Sequence, residues 1–92
     1  MIRLVKVTSV KPLDVYRLAL SFSDGSEGVE DLSDYIAEGG QMVEPLRDSE
    51  FFKRVFISFG VPTWPNGFDL DAIALHMRLG ETGRLSRPAA AE

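Results

Sequence analysis

The stretch "YRLALSFSDGSEGVEDL", residues 16–32, contains the clearest structural pattern in the chain. Its first part alternates strictly between large apolar residues and small or polar ones, which is typical of a strand with one buried face. The apolar face consists of Tyr16, Leu18, Leu20 and Phe22. The Asp24-Gly25 pair that follows predicts a hairpin turn, because Gly25 can adopt positive φ without steric cost. A third strand, residues 27–32, should then return antiparallel to the second.

The segments on either side extend this ribbon. The valine-rich "RLVKVTSV", Arg3 to Val10, predicts a first strand that ends before Pro12. After the ribbon, Ser33 is a candidate N-cap for a short helix that the glycines at positions 39–40 would end. Asp48 or Ser49 is a candidate cap for a second short helix, whose charge order suits the helix dipole.

The last third of the chain predicts one more strand and one more helix. Residues 56–61, "FISFGV", are β-branched and aromatic, and "PTWPNG" then turns the chain so that "GFDL" can pair with this strand. The helix should begin at an Asp71 cap and end at Gly80. Its predicted buried residues are Ile73, Ala74 and Met77.

These elements predict a single α+β domain. We expect an antiparallel β-meander of four or five strands with two or three short helices, because a chain of 92 residues has room for one hydrophobic core. The domain should span residues 1–80. Residues 81–92 have no apolar periodicity and end in an alanine run, so we expect a disordered C-terminal tail.

The composition argues against several classes of function. The 14 acidic and 10 basic residues give a net charge of -4, which opposes binding to nucleic acid or to an anionic membrane. The chain has no cysteine and one histidine, so we expect no metal and no other cofactor. The apolar runs are too short for a membrane span or a signal peptide, and a cytoplasmic protein is expected.

The segment "TWPNGFD", residues 63–69, is the strongest candidate binding site. The candidate partner- or ligand-binding residues are Trp64, Asn66, Gly67 and Asp69. In a structural interpretation the Asn-Gly pair bends the backbone, the tryptophan covers the core, and Asp69 or Asp71 caps a helix. In a functional interpretation the ring and a carboxylate form a recognition patch, since tryptophan is enriched in binding hot spots. We expect no catalytic residues, because a general base requires a pocket and a shifted pKa that the sequence does not indicate.

Two further features have simpler explanations than catalysis. His76 has no second histidine, no cysteine and no glutamate at metal-ligand spacing, so we expect it to face solvent or to cap a helix. Five carboxylates surround the hairpin without the spacing of a calcium loop. They are Asp24, Glu27, Glu30, Asp31 and Asp34. The turn explains Asp24, the helix start explains Asp34, and a solvated strand face explains the two glutamates, so an acidic edge for a basic partner is a better interpretation than a metal site.

Three stretches together resemble the bacterial family called domain of unknown function 2442. They are "YRLALSFSDGSEGVEDLSDYI", "PLRDSEFFKRVFIS" and "TWPNGFDLD", and the resemblance extends from Leu4 to Leu75. It implies a small α+β fold and no particular activity. Some members resemble one half of a toxin–antitoxin gene pair, and others carry an added helix-turn-helix domain, for which this sequence has no room after its last helix.

The sequence therefore predicts a non-catalytic interaction or accessory module whose ligand is a partner protein. An antitoxin-like role is what the resemblance implies. Two alternatives stay open: a small-molecule-binding or enzymatic domain with a pocket at Trp64, Asn66 and Asp69, and a homodimer without another ligand.

Overall fold

The α+β class is confirmed by the arrangement of strands and helices. The computed structural model describes residues 5–14 and 16–86, and these form five strands, three α-helices and one 3₁₀ turn. The strands are β1 (Val7–Pro12), β2 (Arg17–Phe22), β3 (Glu27–Asp31), β4 (Phe56–Ser58) and β5 (Val61–Thr63). The helices are α1 (Ser33–Glu38), α2 (Ser49–Phe52) and α3 (Ala72–Glu81), with the 3₁₀ turn at Glu44–Arg47.

The first three strands form an antiparallel sheet in the order β1-β2-β3. As the alternation predicted, Leu18, Leu20 and Phe22 point into the core, whereas the other face of β2 is open. Gly25 turns the chain between β2 and β3 with a φ of 91°. Lys11, Ala19 and Val29 form one row across the open outer face, because Ala19 pairs with each of the others.

The prediction of one strand over residues 56–61 was wrong, because the chain reverses in the middle of this segment. Ser58 pairs with Val61, so Phe59 and Gly60 form a two-residue turn between β4 and β5. Both turn residues have positive φ, 53° and 78°, which is the pattern of a type I′ turn. The meander is consequently divided into a three-stranded and a two-stranded sheet.

The "GFDL" segment pairs with β5 rather than with a long strand. Trp64 N–H donates to the carbonyl of Phe68 at 2.9 Å, and Leu70 N–H donates to the carbonyl of Pro62 at 3.1 Å. Thr63 and Asp69 form an isolated bridge between these two bonds. The turn predicted at "PTWPNG" is therefore present, but it connects a shorter strand to its partner.

Both outer strands of the larger sheet are partly covered by the chain itself. Val7 N–H at the start of β1 donates to the carbonyl of Gly60 at 2.8 Å. At the start of β3, Glu27 and Ser86 exchange two backbone hydrogen bonds of 2.8 Å. Residues 81–86 thus approach the sheet, and residues 87–92 of the predicted tail lie outside the described residues. Pairing of another chain along these edges would have to displace these contacts or use what remains beside them.

The boundary of the first strand also differs from the prediction. β1 begins at Val7 and continues through Pro12, whereas the sequence predicted a strand from Arg3 to Val10. Arg3 itself lies outside the described residues. Proline is tolerated at the end of an outer strand, because no neighbouring strand there requires its missing N–H.

Helix capping follows the prediction at two of the three α-helices. Asp48 accepts from Glu50 N–H at 3.0 Å, and Asp71 accepts from Ala74 N–H at 2.8 Å. Ser33 is not the N-cap of α1. That position is Leu32, and Ser33 instead donates its N–H to Asp31 Oδ1 at 2.8 Å.

The buried face of α3 differs from the predicted one. The residues that enter the core are Ala72, Leu75 and Leu79, whereas Met77 is 57% exposed. The helix also passes Gly80 and ends at Glu81. Both faces of α3 contain apolar residues. The buried face is the one on which Leu79 contacts Gly28 of β3.

Candidate functional site

Trp64 lies in the centre of the core and has no exposed surface. Its Nε1–H donates to the carbonyl of Phe52 at 3.0 Å. Its ring lies 5.9 Å from the ring of Phe52 and 5.7 Å from that of Phe68. These contacts account for the tryptophan as a structural residue, and in this conformation its ring has no face left for a partner.

Asn66 and Gly67 form the turn that the sequence predicted. Asn66 Oδ1 accepts from Phe68 N–H at 3.2 Å, and Nδ2 donates to the carbonyl of Met42 at 3.0 Å. Gly67 has a φ of 93°. The asparagine side chain therefore ties this turn to the loop after α1, which leaves the exposed Asp69 as the member of the candidate set whose carboxylate has no hydrogen bond among the described residues.

The candidate residues do not line either of two clefts on the surface of the described residues. A cleft of about 630 Å³ lies on the outer face of the three-stranded sheet, beside Ala19 and Val29. A second, of about 270 Å³, is lined by Leu13, Tyr16 and Phe52, among others. Neither lining includes a residue of the predicted set. These two clefts are therefore not at the place where the small-molecule alternative would need a pocket.

His76 faces neither bulk solvent nor a helix end. Its Nε2 lies 2.9 Å from Asp24 Oδ2, and its ring meets the ring of Phe22 edge-on at 5.1 Å. This pair joins α3 to the turn between β2 and β3. Sequence reasoning could not identify it, because the two residues are 52 positions apart.

The surroundings of Asp24 lower the pKa of its carboxyl to about 2. Burial of this side chain, which is 5% exposed, would by itself raise the pKa. Hydrogen bonds from the hydroxyl and the N–H of Ser26, and the contact with His76, outweigh that effect. The turn therefore holds a charged carboxylate against the helix.

The acidic residues near the hairpin do not form one exposed cluster. Glu30 was predicted on a solvated strand face, but it is 2% exposed and points towards α3. Arg78 Nε lies 2.7 Å from its Oε2, although that oxygen has no aligned hydrogen-bond donor among the described residues. Burial raises the pKa of Glu30, and the charges of Arg78 and Arg84 oppose this. Within residues 5–14 and 16–86, no group of three or more acidic or histidine side chains is arranged to hold a metal ion.

Phe59, at the tip of the β4–β5 hairpin, is the feature that the sequence analysis missed. Its side chain is 99% exposed, and its φ of 53° is in the left-handed region that bulky side chains rarely adopt. The signal in the sequence was the Phe-Gly pair between two β-rich segments. The sequence prediction placed this pair inside a single strand.

Tyr16 provides a comparison, because its φ of 63° is also left-handed. Its hydroxyl donates to the carbonyl of Arg47 at 2.7 Å, and its ring contacts that of Phe52 edge-on at 5.6 Å. These tertiary contacts thus offset the free-energy cost of the left-handed backbone at Tyr16. Nothing among the described residues does so at Phe59.

Comparison with known proteins assigns the chain to a family. The family model described as Protein of unknown function (DUF2442) matches residues 7–79. The chain belongs to this family. No match was found among the curated proteins or among the solved structures.

In this DUF2442 chain, basic residues accompany the exposed phenylalanine. The side-chain carbons of Lys6 lie so close to Gly60 that a Cβ there would be 2.9 Å away. Phe56 in β4 is 46% exposed, and two exposed cations precede this strand. Residues 51–68 contain two cations and no carboxylate, so this segment carries a charge of +2 in a chain of net charge -4.

No helix of the described residues has both the length and the apolar character that crossing a bilayer requires.

Proposed function

We propose that this protein is a non-catalytic protein-interaction module and that the tip of the β4–β5 hairpin is its contact point. The observation that carries the proposal is Phe59, which combines full exposure with a left-handed backbone. An exposed aromatic side chain gains nothing from burial in the isolated chain, and a left-handed φ costs roughly 1–2 kcal/mol.

Residues in strained backbone conformations occur mostly at functional sites, where the function requires that conformation. A rigid two-residue turn presents the ring at the end of a hairpin, so little side-chain or loop entropy is lost when a partner binds it. Aromatic residues in this position are typical binding anchors. The structural explanation that accounts for Trp64 and Tyr16 does not extend to Phe59.

This proposal includes the more specific role that the family resemblance implies. An antitoxin-like protein acts by binding a second protein in the cytoplasm, and an exposed anchor suits that role. Self-association through the same phenylalanine is the alternative that the experiment below distinguishes by mass.

The test is site-specific photo-crosslinking in cells of the native host. A benzoyl-phenylalanine at position 59 keeps an aromatic ring at the tip, and it should give one dominant protein adduct after irradiation. The same analogue at Met77, which is 57% exposed on α3, is the matched control and should give no dominant adduct. An adduct of about twice 10.2 kDa would identify a second copy of the chain as the partner.

Equal adduct patterns at positions 59 and 77 would contradict the proposal, since they would indicate collision with abundant proteins and not a specific contact.

A further inference from the structure

We infer that the partner of Phe59 is a second copy of this chain, whose cleft beside Tyr16 and Phe52 receives the ring. This inference rests on the proposed function, in which Phe59 is the contact point, and it identifies the partner. Each copy supplies one ring and one cleft, so the dimer contains two identical contacts. The inference is carried by the lining of the cleft, by its position relative to the hairpin tip, and by backbone strain at both places.

The cleft has the size and the lining that an aromatic ring requires. Its volume is about 270 Å³, and an apolar cavity of roughly 150 Å³ already binds benzene. Phe52 is buried, and Leu13 and Tyr16 are half-buried, so a ring in the cleft meets apolar and aromatic surfaces. The lining also contains one carboxylate, Asp14, and one cation, Lys53. Since these two charges cancel, the cleft favours an uncharged apolar side chain.

The hairpin tip and this cleft lie at opposite ends of β1. Val7, the first residue of the strand, donates its N–H to the carbonyl of Gly60 at the tip. Leu13, which lines the cleft, directly follows the last residue of the strand. A separation of six residues along a strand is about 20 Å. The ring of Phe59 therefore cannot reach the cleft of its own chain.

A two-fold axis that crosses the middle of β1 brings the two ends together. When the β1 strands of two copies lie antiparallel, the tip of each copy is beside the cleft of the other, and both contacts form in one closed dimer. A head-to-tail arrangement with one ring in one cleft would leave a tip and a cleft unoccupied and would continue into a filament. The two-fold dimer occupies both.

Backbone strain occurs on both sides of this contact. Tyr16 and Phe59 are the non-glycine residues with positive φ among the described residues, at 63° and 53°. Strained residues are concentrated at functional sites. The hydrogen bond of the Tyr16 hydroxyl and its edge-on contact with Phe52 fix the ring that lines the cleft. Phe59 is the ring that stays 99% exposed in a single chain, so the two strained residues supply the two sides of one contact.

The net charge opposes the dimer only over long range. Each copy has a net charge of -4, and physiological salt screens charges that are more than roughly 8 Å apart. Because the contact is apolar, added salt should strengthen the dimer by screening the repulsion between the copies. Weakening of the dimer by salt would indicate ion pairs and would contradict an apolar contact.

Sedimentation equilibrium of the 92-residue chain over a range of concentrations measures the association. The mass should rise from 10.2 kDa towards twice that value. Phe59→Asn should raise the dissociation constant about 100-fold, because burial of one phenylalanine side chain contributes at least about tenfold in affinity and the dimer loses two. Dilution below the dissociation constant removes the dimer, so urea denaturation of dilute protein reports the stability of the single chain.

A second variant blocks the cleft and keeps the ring. Ser49 is exposed and lines the cleft, so Ser49→Trp should fill it and weaken the dimer as strongly as Phe59→Asn does. Gln41→Trp adds the same side chain at an exposed position outside the lining and should leave the dissociation constant unchanged. Circular dichroism verifies that each variant is folded, and Lys53→Trp repeats the test should Ser49→Trp unfold the chain.

A mixture of the two variants tests the pairing of ring and cleft directly. Phe59→Asn keeps the cleft and Ser49→Trp keeps the ring, so together they can form a heterodimer with one intact contact. Its dissociation constant should be about tenfold below that of either variant alone.

The inference would be overturned by a wild type that stays at 10.2 kDa at every concentration, by a Ser49→Trp variant that dimerises as the wild type does, or by a mixture that associates no better than its components. A monomeric chain with one dominant adduct of another protein at position 59 would count against the second copy alone. Absence of any dominant adduct at position 59 would instead count against the interaction function itself.

Discussion

At the scale of single residues, two aromatic side chains with left-handed backbone have opposite explanations. Tyr16 combines its φ of 63° with a buried ring contact and a hydrogen bond from its hydroxyl, so replacing it would remove tertiary contacts. Phe59 has the same backbone strain with an exposed ring. Replacing Phe59 should therefore impair binding without lowering the free energy of unfolding, whereas replacing Tyr16 should lower the free energy of unfolding.

Phe59→Asn should raise the free energy of unfolding by about 1 kcal/mol. Asparagine tolerates the left-handed region better than phenylalanine does, and an exposed ring leaves no contact to lose. Urea denaturation of the two proteins measures the difference. Gly60→Ala is the control at the other turn position. It should lower the free energy by more than about 1 kcal/mol, because φ there is 78° and a Cβ would lie 2.9 Å from Lys6. A loss of stability in Phe59→Asn would mean that the ring makes contacts in the folded state.

Residue-scale predictions from the sequence were accurate where chemistry alone decides the conformation. The positive φ of Gly25 and the cap at Asp71 depend on local backbone requirements, and both are confirmed. The buried pairs His76–Asp24 and Arg78–Glu30 were not predictable. Each joins residues far apart in sequence, and no local pattern indicates which carboxylate meets a given cation.

At the scale of elements, the alternation of apolar and polar residues predicted β2 correctly but did not indicate where β4 ends and β5 begins. A strand of six residues with one apolar face has one reasonable interpretation. In residues 56–61 the apolar residues Ile57, Phe59 and Val61 alternate as in a single strand, so the pattern did not reveal the reversal at the turn. The same ambiguity applies to α3, where Ile73 and Met77 are as apolar as Leu75 and Leu79, and only the position of β3 decides which pair is buried.

Removal of the α3 cap tests the structural interpretation of the second half of the chain. Asp71→Ala should cost about 1 kcal/mol of stability, because Ala74 N–H loses its acceptor at 2.8 Å. Asp69→Ala is the matched control, since this exposed carboxylate makes no hydrogen bond within the described residues, and it should change the free energy of unfolding by less than about 0.5 kcal/mol. Equal losses from both substitutions, measured by urea denaturation, would assign a structural role to Asp69 that the described contacts do not provide.

At the scale of the whole molecule, two charged contacts attach α3 to the three-stranded sheet. Glu30 and Arg78 join the helix to β3, and Asp24 and His76 join it to the turn between β2 and β3. Their pH dependences have opposite signs. The pKa of Glu30 is raised in the folded state, so its protonation favours folding, whereas the pKa of Asp24 is lowered and its protonation opposes folding.

The contribution of the Asp24 charge to the free energy of unfolding should therefore disappear in acid. Its carboxyl has a pKa of about 2 in the folded protein, against an ordinary value of 3.8. The resulting stability is complete above about pH 5 and is lost as the pH falls through about 2. Over that interval the free energy of unfolding should decrease by up to about 2 kcal/mol more in the wild type than in Asp24→Asn. The asparagine keeps an acceptor for Ser26 N–H but carries no charge, so the difference between the two profiles isolates the ionisation from the other carboxylates. The profiles should be furthest apart at neutral pH and converge below about pH 2. Parallel profiles would show that the charge on Asp24 does not hold the helix to the turn.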